Sequence, residues 1–274
     1  MSRYSSMRTF GRAGSPAWLV ALVAITLSAC ALSPSSSPSL IDHAQGDAQA
    51  QTAPQSEGPL PVPANLVPLT QPAGQQRLLA TADKQSYWPL SQYFETQRNE
   101  AYCSVASSVM VLNALGIRRP VSSLYPDFPF FSQQDFFRGI DAQVANAAQV
   151  SKEGMTLDQL SAALSSFPVE VTKFHASELT LAQFRDLIRD TTARQGRYAL
   201  LNFRRVEIGE TGGGHWSPLA AYDAASDSAL LLDVARYKYP AVWVPLAQLY
   251  AAAQAVDNVS GLSRGLVIVG KRAN

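Results

Sequence analysis

Residues 97–116 read QRNEAYCSVASSVMVLNALG and combine a helix pattern with a cysteine at its start. Its apolar side chains recur at the spacing of one helix face, at Val105, Val109 and Leu112. The spacing predicts a helix over 103–115, which a glycine then ends. Unpaired N–H groups and the helix dipole favour a thiolate at such a start, so Cys103 is a candidate nucleophile. The alternative is that Cys103 is a small, buried, apolar residue.

Beyond this helix the sequence contains both helical and strand-like patterns. Residues 121–139 are rich in aromatic side chains and prolines, which predicts an irregular packed loop. Periodic leucines predict two further helices, and short apolar runs predict strands, two of them joined by a short turn. The helices are expected at 156–164 and 179–189, and the strands at 198–203, 216–222, 229–234 and 266–269. Helices first and strands later indicate an α+β fold.

His215 is the candidate proton carrier. It follows Gly212-Gly213-Gly214, and such a run gives clearance beside a cleft. A histidine on a strand can accept a proton from a thiol and return it to a leaving amine. A structural histidine without a catalytic role is the alternative. The competing His175 lies among charged residues and is expected to be solvated.

Asp233 and Gln97 complete the candidate catalytic set. Asp233 lies inside the apolar run 230–234, where a carboxylate without a partner would cost several kcal/mol. An imidazolium at His215 is its natural partner, although the turn does not settle whether the two residues face each other. Gln97 lies six residues before Cys103, where papain-like enzymes place the side-chain donor of the oxyanion hole, and this resemblance implies the same role for it.

Composition excludes some classes of function. The chain has 274 residues, and 22 Lys+Arg against 21 Asp+Glu give a formal net charge of +1. This balance provides no strong field for nucleic acid, so no nucleic-acid partner is predicted. Two cysteines and three histidines are too few to assemble a Cys/His metal cage readily, and no metal ligands are predicted.

The first thirty residues have the features of an export signal. A basic start precedes the apolar run 18–27, which is too short to span a bilayer as a stable anchor. Leu27-Ser28-Ala29-Cys30 then resembles a bacterial lipobox, so Cys30 is predicted to be lipidated. An ordinary signal peptide is the alternative. Residue 31 is alanine and not aspartate, which by the same resemblance favours the outer membrane.

A tether is predicted between this signal and the folded domain. Residues 31–83 are rich in Pro, Ser, Ala and Gln, a composition typical of disorder. The folded domain is therefore expected to cover 84–274. Lipidation of Cys30 would leave Cys103 as a lone thiol in an oxidising space, where it is either deeply buried or kept for its reactivity.

Several blocks of the sequence, in the same order, resemble the catalytic domain of the phytochelatin synthase family. They are residues 97–103, 109–115, 214–218, 232–240 and 243–246. The resemblance covers about residues 84–272 and is to a short bacterial type with the catalytic domain only. It implies a papain-like cysteine protease fold, in which the helix-start cysteine packs against an antiparallel sheet. It also implies activity on glutathione.

The family resemblance implies roles for the catalytic residues. Cys103 would attack the carbonyl of the Cys–Gly bond, while His215, oriented by Asp233, would protonate the leaving glycine. Gln97 and a backbone N–H near Cys103 would hold the oxyanion. The γ-glutamylcysteinyl thioester would then pass to water or to a second glutathione.

The same resemblance implies substrate contacts. Asp257 and Arg264 match the family positions that grip the ammonium and carboxylate of the glutamyl group, with a loop salt bridge as the alternative. Arg236, Lys238 and Tyr239 match a family block and are predicted to line the acceptor side. A solvated charged face is the alternative for Arg236 and Lys238.

Some features depart from the family pattern. Ser104 stands where glycine is usual and Trp216 where phenylalanine is usual, and a Cys-rich C-terminal region is missing. This last difference favours hydrolysis over metal-stimulated polymer synthesis. No cofactor is expected, and Cd or Zn would act through glutathione thiolate complexes. The expected partners are glutathione and related γ-glutamyl thiol peptides, at a periplasmic, lipid-anchored location, with a homodimer left open.

Two other readings of the sequence remain. A papain-like peptidase acting on other exported peptides would use the same Cys103, His215 and Asp233 without needing the glutamyl grip. An anchored lipoprotein that binds thiol peptides or metal would need no catalysis at all.

Overall fold

An antiparallel sheet organises the computed structural model, which describes residues 59–119, 121, 126–128 and 130–272. Its strands are β1 (Val67–Pro68), β2 (Val169–His175), β3 (Arg197–Arg204), β4 (Gly214–Asp223), β5 (Ser228–Leu231), β6 (Val242–Pro245) and β7 (Gly265–Lys271). These seven strands lie in the order β1-β6-β5-β4-β3-β7-β2, and every neighbouring pair is antiparallel. Strand β4, which bears His215, therefore lies at the centre of the sheet.

Helices cover both faces of this sheet. They are α1 (Pro72–Ala80), α2 (Tyr87–Gln92), α3 (Cys103–Ala114), α4 (Ala147–Glu153), α5 (Leu157–Ser165), α6 (Leu181–Thr192) and α7 (Leu246–Gln254), with short 3₁₀ turns at Ala176–Glu178 and Arg205–Ile208. Helices α5 and α6 begin with Thr–Gln capping boxes, which satisfy free N–H groups at their starts. In the part of the chain that the structure describes, no helix has the length and apolar character needed to cross a membrane. The arrangement is α+β.

Alternation along β3 divides the core into two clusters, because successive side chains of a strand point to opposite faces. Tyr198 and Leu200 belong to the cluster that contains α3 and α5. Ala199, Leu201 and Phe203 belong to the cluster that contains α6 and α7. The sheet is therefore covered by apolar contacts on both faces, and its central strands are mostly apolar.

Helix α3 is buried on all sides. Every residue from Cys103 to Asn113 is buried, which fits a helix that is apolar all round and lies in the centre of a core. The Ser107 hydroxyl donates to the Trp216 carbonyl of β4, with an O···O distance of 3.3 Å. The predicted helix over 103–115 is confirmed to within one residue, and it packs against the antiparallel sheet as expected.

The predicted start of the folded domain at residue 84 is wrong. Residues 59–83 contain β1 and α1, and Leu66 and Leu78 are buried. The indole of Trp243 donates to the Gly74 carbonyl over 3.1 Å, which fixes α1 to β6. The prediction failed because the proline-rich composition of residues 31–83 is typical of disorder, although this segment also contains a short strand and a helix. Residues 31–58 of the predicted tether, and Cys30, lie outside the described residues.

The strand that was predicted to contain Asp233 ends earlier. Strand β5 stops at Leu231, and the Leu232 N–H donates to the Pro218 carbonyl over 3.0 Å. Asp233 then accepts the Ala235 N–H over 2.8 Å, which closes a turn. Because the carboxylate can bond backbone N–H groups two residues on, aspartate favours a turn over a continuing strand at this point.

Candidate active site

The start of α3, which carries Cys103, has no side-chain cap. The residue that precedes α3, Tyr102, provides no side-chain cap, so the first N–H groups of the helix keep their capacity to bind an anion. Packing of α3 on β4 brings the thiol to His215, the second residue of that strand. Cys103 is buried but still lines a cavity, so a small substrate can reach the sulfur.

Asp233 orients the His215 ring. The distance between Nε2 of His215 and Oδ1 of Asp233 is 2.9 Å, and both side chains are buried. This contact leaves Nδ1 to face the thiol, with which the ring forms a side-chain hydrogen bond. A cysteine, an imidazole and a carboxylate joined in this order form the arrangement of a nucleophile, its base and the group that holds the base.

The surroundings of Cys103 and His215 favour the ion pair. Burial raises the pKa of the thiol, but the positive charge of His215 and backbone hydrogen bonds of Trp216 and Ser104 lower it below its ordinary value. Burial lowers the pKa of His215, yet Asp233 and the Cys103 thiolate raise it above its ordinary value despite Arg205. Both shifts act in the direction of a thiolate beside an imidazolium.

A buried arginine supports the carboxylate. Arg205 donates to both oxygens of Asp233, over 2.7 Å and 2.9 Å, and also forms an ion pair with Glu210. Its guanidinium lies between two rings, 5.9 Å from the Phe203 centroid and 5.3 Å from the Tyr239 centroid. Burial alone would raise the pKa of Asp233, but His215 and Arg205 together hold it well below its usual range. Asp233 therefore remains ionised throughout the pH range in which the thiol and imidazole titrate.

A cavity of about 360 Å³ opens above the sulfur. Its lining includes Asn202, Asp257 and Arg264, together with residues 152–156, which run from the end of α4 to the residue before α5. This volume lies within the usual range for small-ligand sites, and its walls carry charged and amide groups that can orient a polar molecule.

The cavity brings together the two residues predicted to grip a glutamyl group. Arg264 Nη1 lies 3.1 Å from Asp257 Oδ2 and donates to Asn202 Oδ1 over 2.7 Å. Its Nε is buried and makes no hydrogen bond to the described residues. Burial lowers the pKa of Arg264 although Asp257 acts against this, so a further anion in the cavity would be stabilised by the partly desolvated cation.

Gly214 allows Arg264 to lie against the backbone. A Cβ at Gly214 would be 2.4 Å from Nη1 and 2.7 Å from Cζ of Arg264. We expect Gly214→Ala to displace the flexible guanidinium end of Arg264 from the cavity wall. Because a charged substrate group would then lose a charge-assisted hydrogen bond, the KM of the substrate should rise about ten- to hundredfold, with little change in the free energy of unfolding. Gly213→Ala is the matched control, because its Cβ would meet nothing within 4 Å. Kinetics and denaturant unfolding of both variants test this, and equal KM values would contradict it.

Gln97 lies beside the catalytic set but not in the cavity wall. Its Nε2 donates to the Asn99 carbonyl over 2.8 Å and to Tyr237 Oη over 3.0 Å. Its backbone N–H donates to the Val234 carbonyl, next to Asp233. The side chain is thus already engaged, and its predicted role as an oxyanion donor would require it to leave these partners. That role stays a prediction.

Three predicted acceptor-side residues do not line the cavity that contains Cys103. Arg236 is exposed and stacks on the Phe94 ring at 4.9 Å, and the Lys238 ammonium lies near Gly212. Tyr239 is buried beneath Arg205, and its hydroxyl accepts the Thr211 N–H over 2.8 Å. The structure therefore places Tyr239 in the support of the carboxylate network. The acceptor-side roles of Arg236 and Lys238 stay predictions.

The expectation of a solvated His175 is wrong. The ring is buried, with Nδ1 2.6 Å from the Ser263 carbonyl and Nε2 3.4 Å from Asp158. It lies at the end of β2, where its pairing with Gly265 of β7 turns the side chain inward while neighbouring charged residues remain in solvent. His175 is structural and does not reach the cavity.

Sequence reasoning missed three polar groups of the site, namely Arg205, Glu210 and Asn202. Asn202 interrupts the apolar run 198–203, and a polar residue inside such a run is a usable signal. Arg205 and Glu210 lie in a charged loop, where nothing in the sequence distinguishes a buried charge from a solvated one. Arg205 is buried against Asp233, which is distant in the sequence, and Glu210 is buried through its pair with Arg205.

Comparison with known proteins decides the family. The family model described as phytochelatin synthase matches residues 58–266, which is most of the chain. The chain belongs to the phytochelatin synthase family. Within this family match lie both the cavity residues and residues 59–83, which agrees with the folded segment upstream of the predicted domain start.

Curated relatives have a common name. The chain is 30% identical over 197 residues to glutathione gamma-glutamylcysteinyltransferase 3 of Lotus japonicus, which covers 70% of this chain and 39% of the relative. It is 32% identical over 194 residues to glutathione gamma-glutamylcysteinyltransferase 1 of Triticum aestivum, and this alignment covers 69% of this chain and 37% of the relative. The identity to glutathione gamma-glutamylcysteinyltransferase of Schizosaccharomyces pombe is 27%, and that alignment covers 70% of this chain and 45% of the relative. The chain thus spans about two fifths of the length of these relatives.

Proposed function

We propose that the protein is a papain-like cysteine acyltransferase that removes glycine from glutathione through a γ-glutamylcysteinyl thioester on Cys103. One observation carries the proposal. The cavity that exposes the Cys103–His215 pair is also lined by Asp257 and Arg264, which suit a zwitterionic group. The names of the family relatives support the same substrate.

In the first half-reaction the thiolate attacks the carbonyl carbon of the Cys–Gly amide. The negative charge that develops on the carbonyl oxygen is stabilised by N–H groups at the start of α3, with Gln97 as a further candidate donor. His215 then transfers its proton to the glycine nitrogen, the C–N bond breaks and glycine leaves. Asp233 holds the ring and stabilises the imidazolium during this step.

Substrate recognition follows from the γ-linkage. Because glutathione is joined through the side-chain carboxyl of its glutamate, the α-ammonium and α-carboxylate of that residue are both free. Asp257 would bind the ammonium and Arg264 the carboxylate, each through charge-assisted hydrogen bonds. Asn202 keeps Arg264 in place. A peptide with an ordinary α-linkage presents no such zwitterion at this distance from the scissile bond.

In the second half-reaction a nucleophile attacks the thioester. His215, now neutral, takes a proton from water or from the amine of a second glutathione, and the Cys103 thiolate leaves. Water gives γ-glutamylcysteine, and the amine of a second glutathione gives a longer peptide. Metal ions such as Cd or Zn would enter as thiolate complexes of the substrate.

We also propose that the enzyme acts outside the cytoplasm on a lipid anchor. The support is the sequence 27–30, which resembles a lipobox with Cys30 as the modified residue. The absence of aspartate at position 31 favours the outer membrane. Mass spectrometry of the N-terminal peptide from membranes tests this proposal, and an unmodified Cys30 would contradict it.

Brief exposure to glutathione should leave a γ-glutamylcysteinyl group on Cys103 and release glycine. The adduct forms when the thiolate displaces glycine, and acid quenching traps the thioester before it is hydrolysed. Peptide mapping by mass spectrometry then locates the modified residue. The matched substrate is the isomer with an α-linked glutamate, which has the same composition and charges but carries its free carboxylate on the side chain and not on the carbon that bears the ammonium. We expect no adduct and at least about a hundredfold lower kcat/KM with this isomer. Equal turnover of both isomers would instead indicate a general peptidase.

A further inference from the structure

A second buried carboxylate lies next to the catalytic set but outside the cavity. Glu210, in the loop before β4, is only 2% exposed. Its Oε2 forms an ion pair with Arg205, and its backbone N–H donates to the Arg205 carbonyl over 3.1 Å. Its Oε1 is buried and accepts no hydrogen bond from any described residue. The mechanism above uses none of these atoms.

The charges of the network do not balance. A Cys103 thiolate and a His215 imidazolium cancel, and Asp233 is cancelled by Arg205. An ionised Glu210 then adds one negative charge to a region with little water. Since a single guanidinium bridges both carboxylates, Glu210 decides how strongly the charge of Arg205 acts on the histidine.

Arg205 has two opposing effects on His215. It fixes Asp233 in the position that holds the ring, but its own positive charge opposes protonation of the ring and lowers the pKa of His215. A second negative charge on the guanidinium offsets this repulsion while both contacts with Asp233 remain. Glu210 supplies that charge, because its Oε2 pairs with the same Nη1 that donates to Asp233 Oδ2.

We propose that Glu210 is a positioning residue of the reaction, whose carboxylate acts through Arg205 to keep the proton on His215 at higher pH than Asp233 alone would. This inference rests on the proposed thiol–imidazole mechanism. Glu210 has Arg205 as its only described side-chain partner and makes no hydrogen bond to His215, so it acts on the ring by charge and not by contact.

The groups around Glu210 set the pH at which it acts. Burial raises the pKa of Glu210 to about 7, while Arg205 and His215 favour its ionised form and Asp233 opposes it. The other titratable groups near Arg205 are Tyr237, whose hydroxyl contacts Gln97, Tyr239 beneath the guanidinium, and Lys238 near Gly212. Of the two carboxylates, Asp233 keeps its charge and Glu210 changes its charge near neutrality.

The sign of the effect follows. Below pH 7 Glu210 is mostly protonated, so removing its charge should change little. Above pH 7 it is ionised and stabilises the imidazolium. In Glu210→Gln the amide oxygen can still accept from Arg205, but the charge is gone. We therefore expect the His215 imidazolium of this variant to lose its proton about half a pH unit or more lower than in the wild type.

Two readouts test this on the full chain. In the first, NMR with labelled histidine follows the three histidines of the sequence, His43, His175 and His215, without any substrate. The second readout is the pH profile of kcat/KM for glutathione. On the alkaline side, the fall in kcat/KM should begin at a lower pH in Glu210→Gln than in the wild type, and the two profiles should converge in acid. Glu207→Gln is the matched control, because Glu207 pairs loosely with the exposed Arg204 at 3.7 Å. It should leave both readouts unchanged.

The outcomes are separable. An unchanged His215 titration in a folded Glu210→Gln variant would overturn the inference even if glutathione is turned over. A protein that does not turn over glutathione would refute the proposed substrate, while the NMR titration of His215 would still test the role of Glu210. Should Glu210→Gln fail to fold, the wild-type chain provides the test, because its His215 signal should show a second inflection near pH 7 from Glu210. A single inflection would count against the proposal.

Discussion

Cys103→Ser should reduce glycine release from glutathione by at least about a thousandfold and abolish the covalent adduct. The serine hydroxyl is not ionised by an imidazole to any useful extent, whereas the environment of Cys103 lowers the pKa of the thiol and supplies a thiolate. The side chains are similar in size, so the fold and the Asp257–Arg264 pair should remain. The measurement is release of glycine with time, together with mass spectrometry of the quenched protein.

The control for this experiment is Cys30→Ser, which removes the other cysteine of the sequence. It should leave turnover in solution unchanged, because Cys30 has no part in the proposed chemistry. Retained turnover and adduct formation in Cys103→Ser would place the nucleophile elsewhere and refute the mechanism.

Arg205→Met should damage both stability and catalysis. Removing the cation leaves Asp233 and Glu210 buried without their shared partner, and breaking a buried pair in this way costs about 3–5 kcal/mol. Asp233 also loses two of the hydrogen bonds that fix its carboxylate, so the His215 ring is held less firmly. We expect a fall in kcat of about a hundredfold or more. Denaturant unfolding and steady-state kinetics measure the two effects.

The neighbouring arginine is the matched control. Arg204 is about half exposed and pairs loosely with Glu207, so Arg204→Met should change the free energy of unfolding by no more than about 0.5 kcal/mol. Arg205→Lys is a second comparison, since a lysine cannot form the bidentate contact with Asp233. If Arg205→Met were as stable and active as Arg204→Met, the network would have no role in holding the triad.

This pair of arginines also shows where sequence reasoning ends. Both follow the apolar run 198–203, and the sequence offers no reason to bury one and expose the other. The outcome depends on Asp233, which approaches only once β4 and β5 have paired. The burial of Asp233 was predictable because its neighbours in the sequence are apolar, whereas the burial of Arg205 follows from a contact across the fold.

Secondary structure shows the same division. Helix α3 was predictable because its apolar run has a defined end at Gly116, and the strand over 198–203 because it is apolar at every position except Asn202. Strand β1 has two residues, one of them proline, and strand β6 ends in proline, so neither has a pattern long enough to detect. Both strands form because a neighbouring strand offers them backbone hydrogen bonds.

The burial of α3 from Cys103 to Asn113 leaves the helix that carries the sulfur less free to change than other parts of the cavity lining. Substitutions along α3 must fit a close-packed interior, so the reactive sulfur is inherited in a nearly fixed position. The segments 152–154 and 257–259 also line the cavity, and they contain solvent-exposed side chains such as Lys152 and Val259, where exchange costs little stability. Among descendants of this chain, a change of acyl donor or acceptor would therefore arise by substitutions in those two segments, while Cys103 keeps its position.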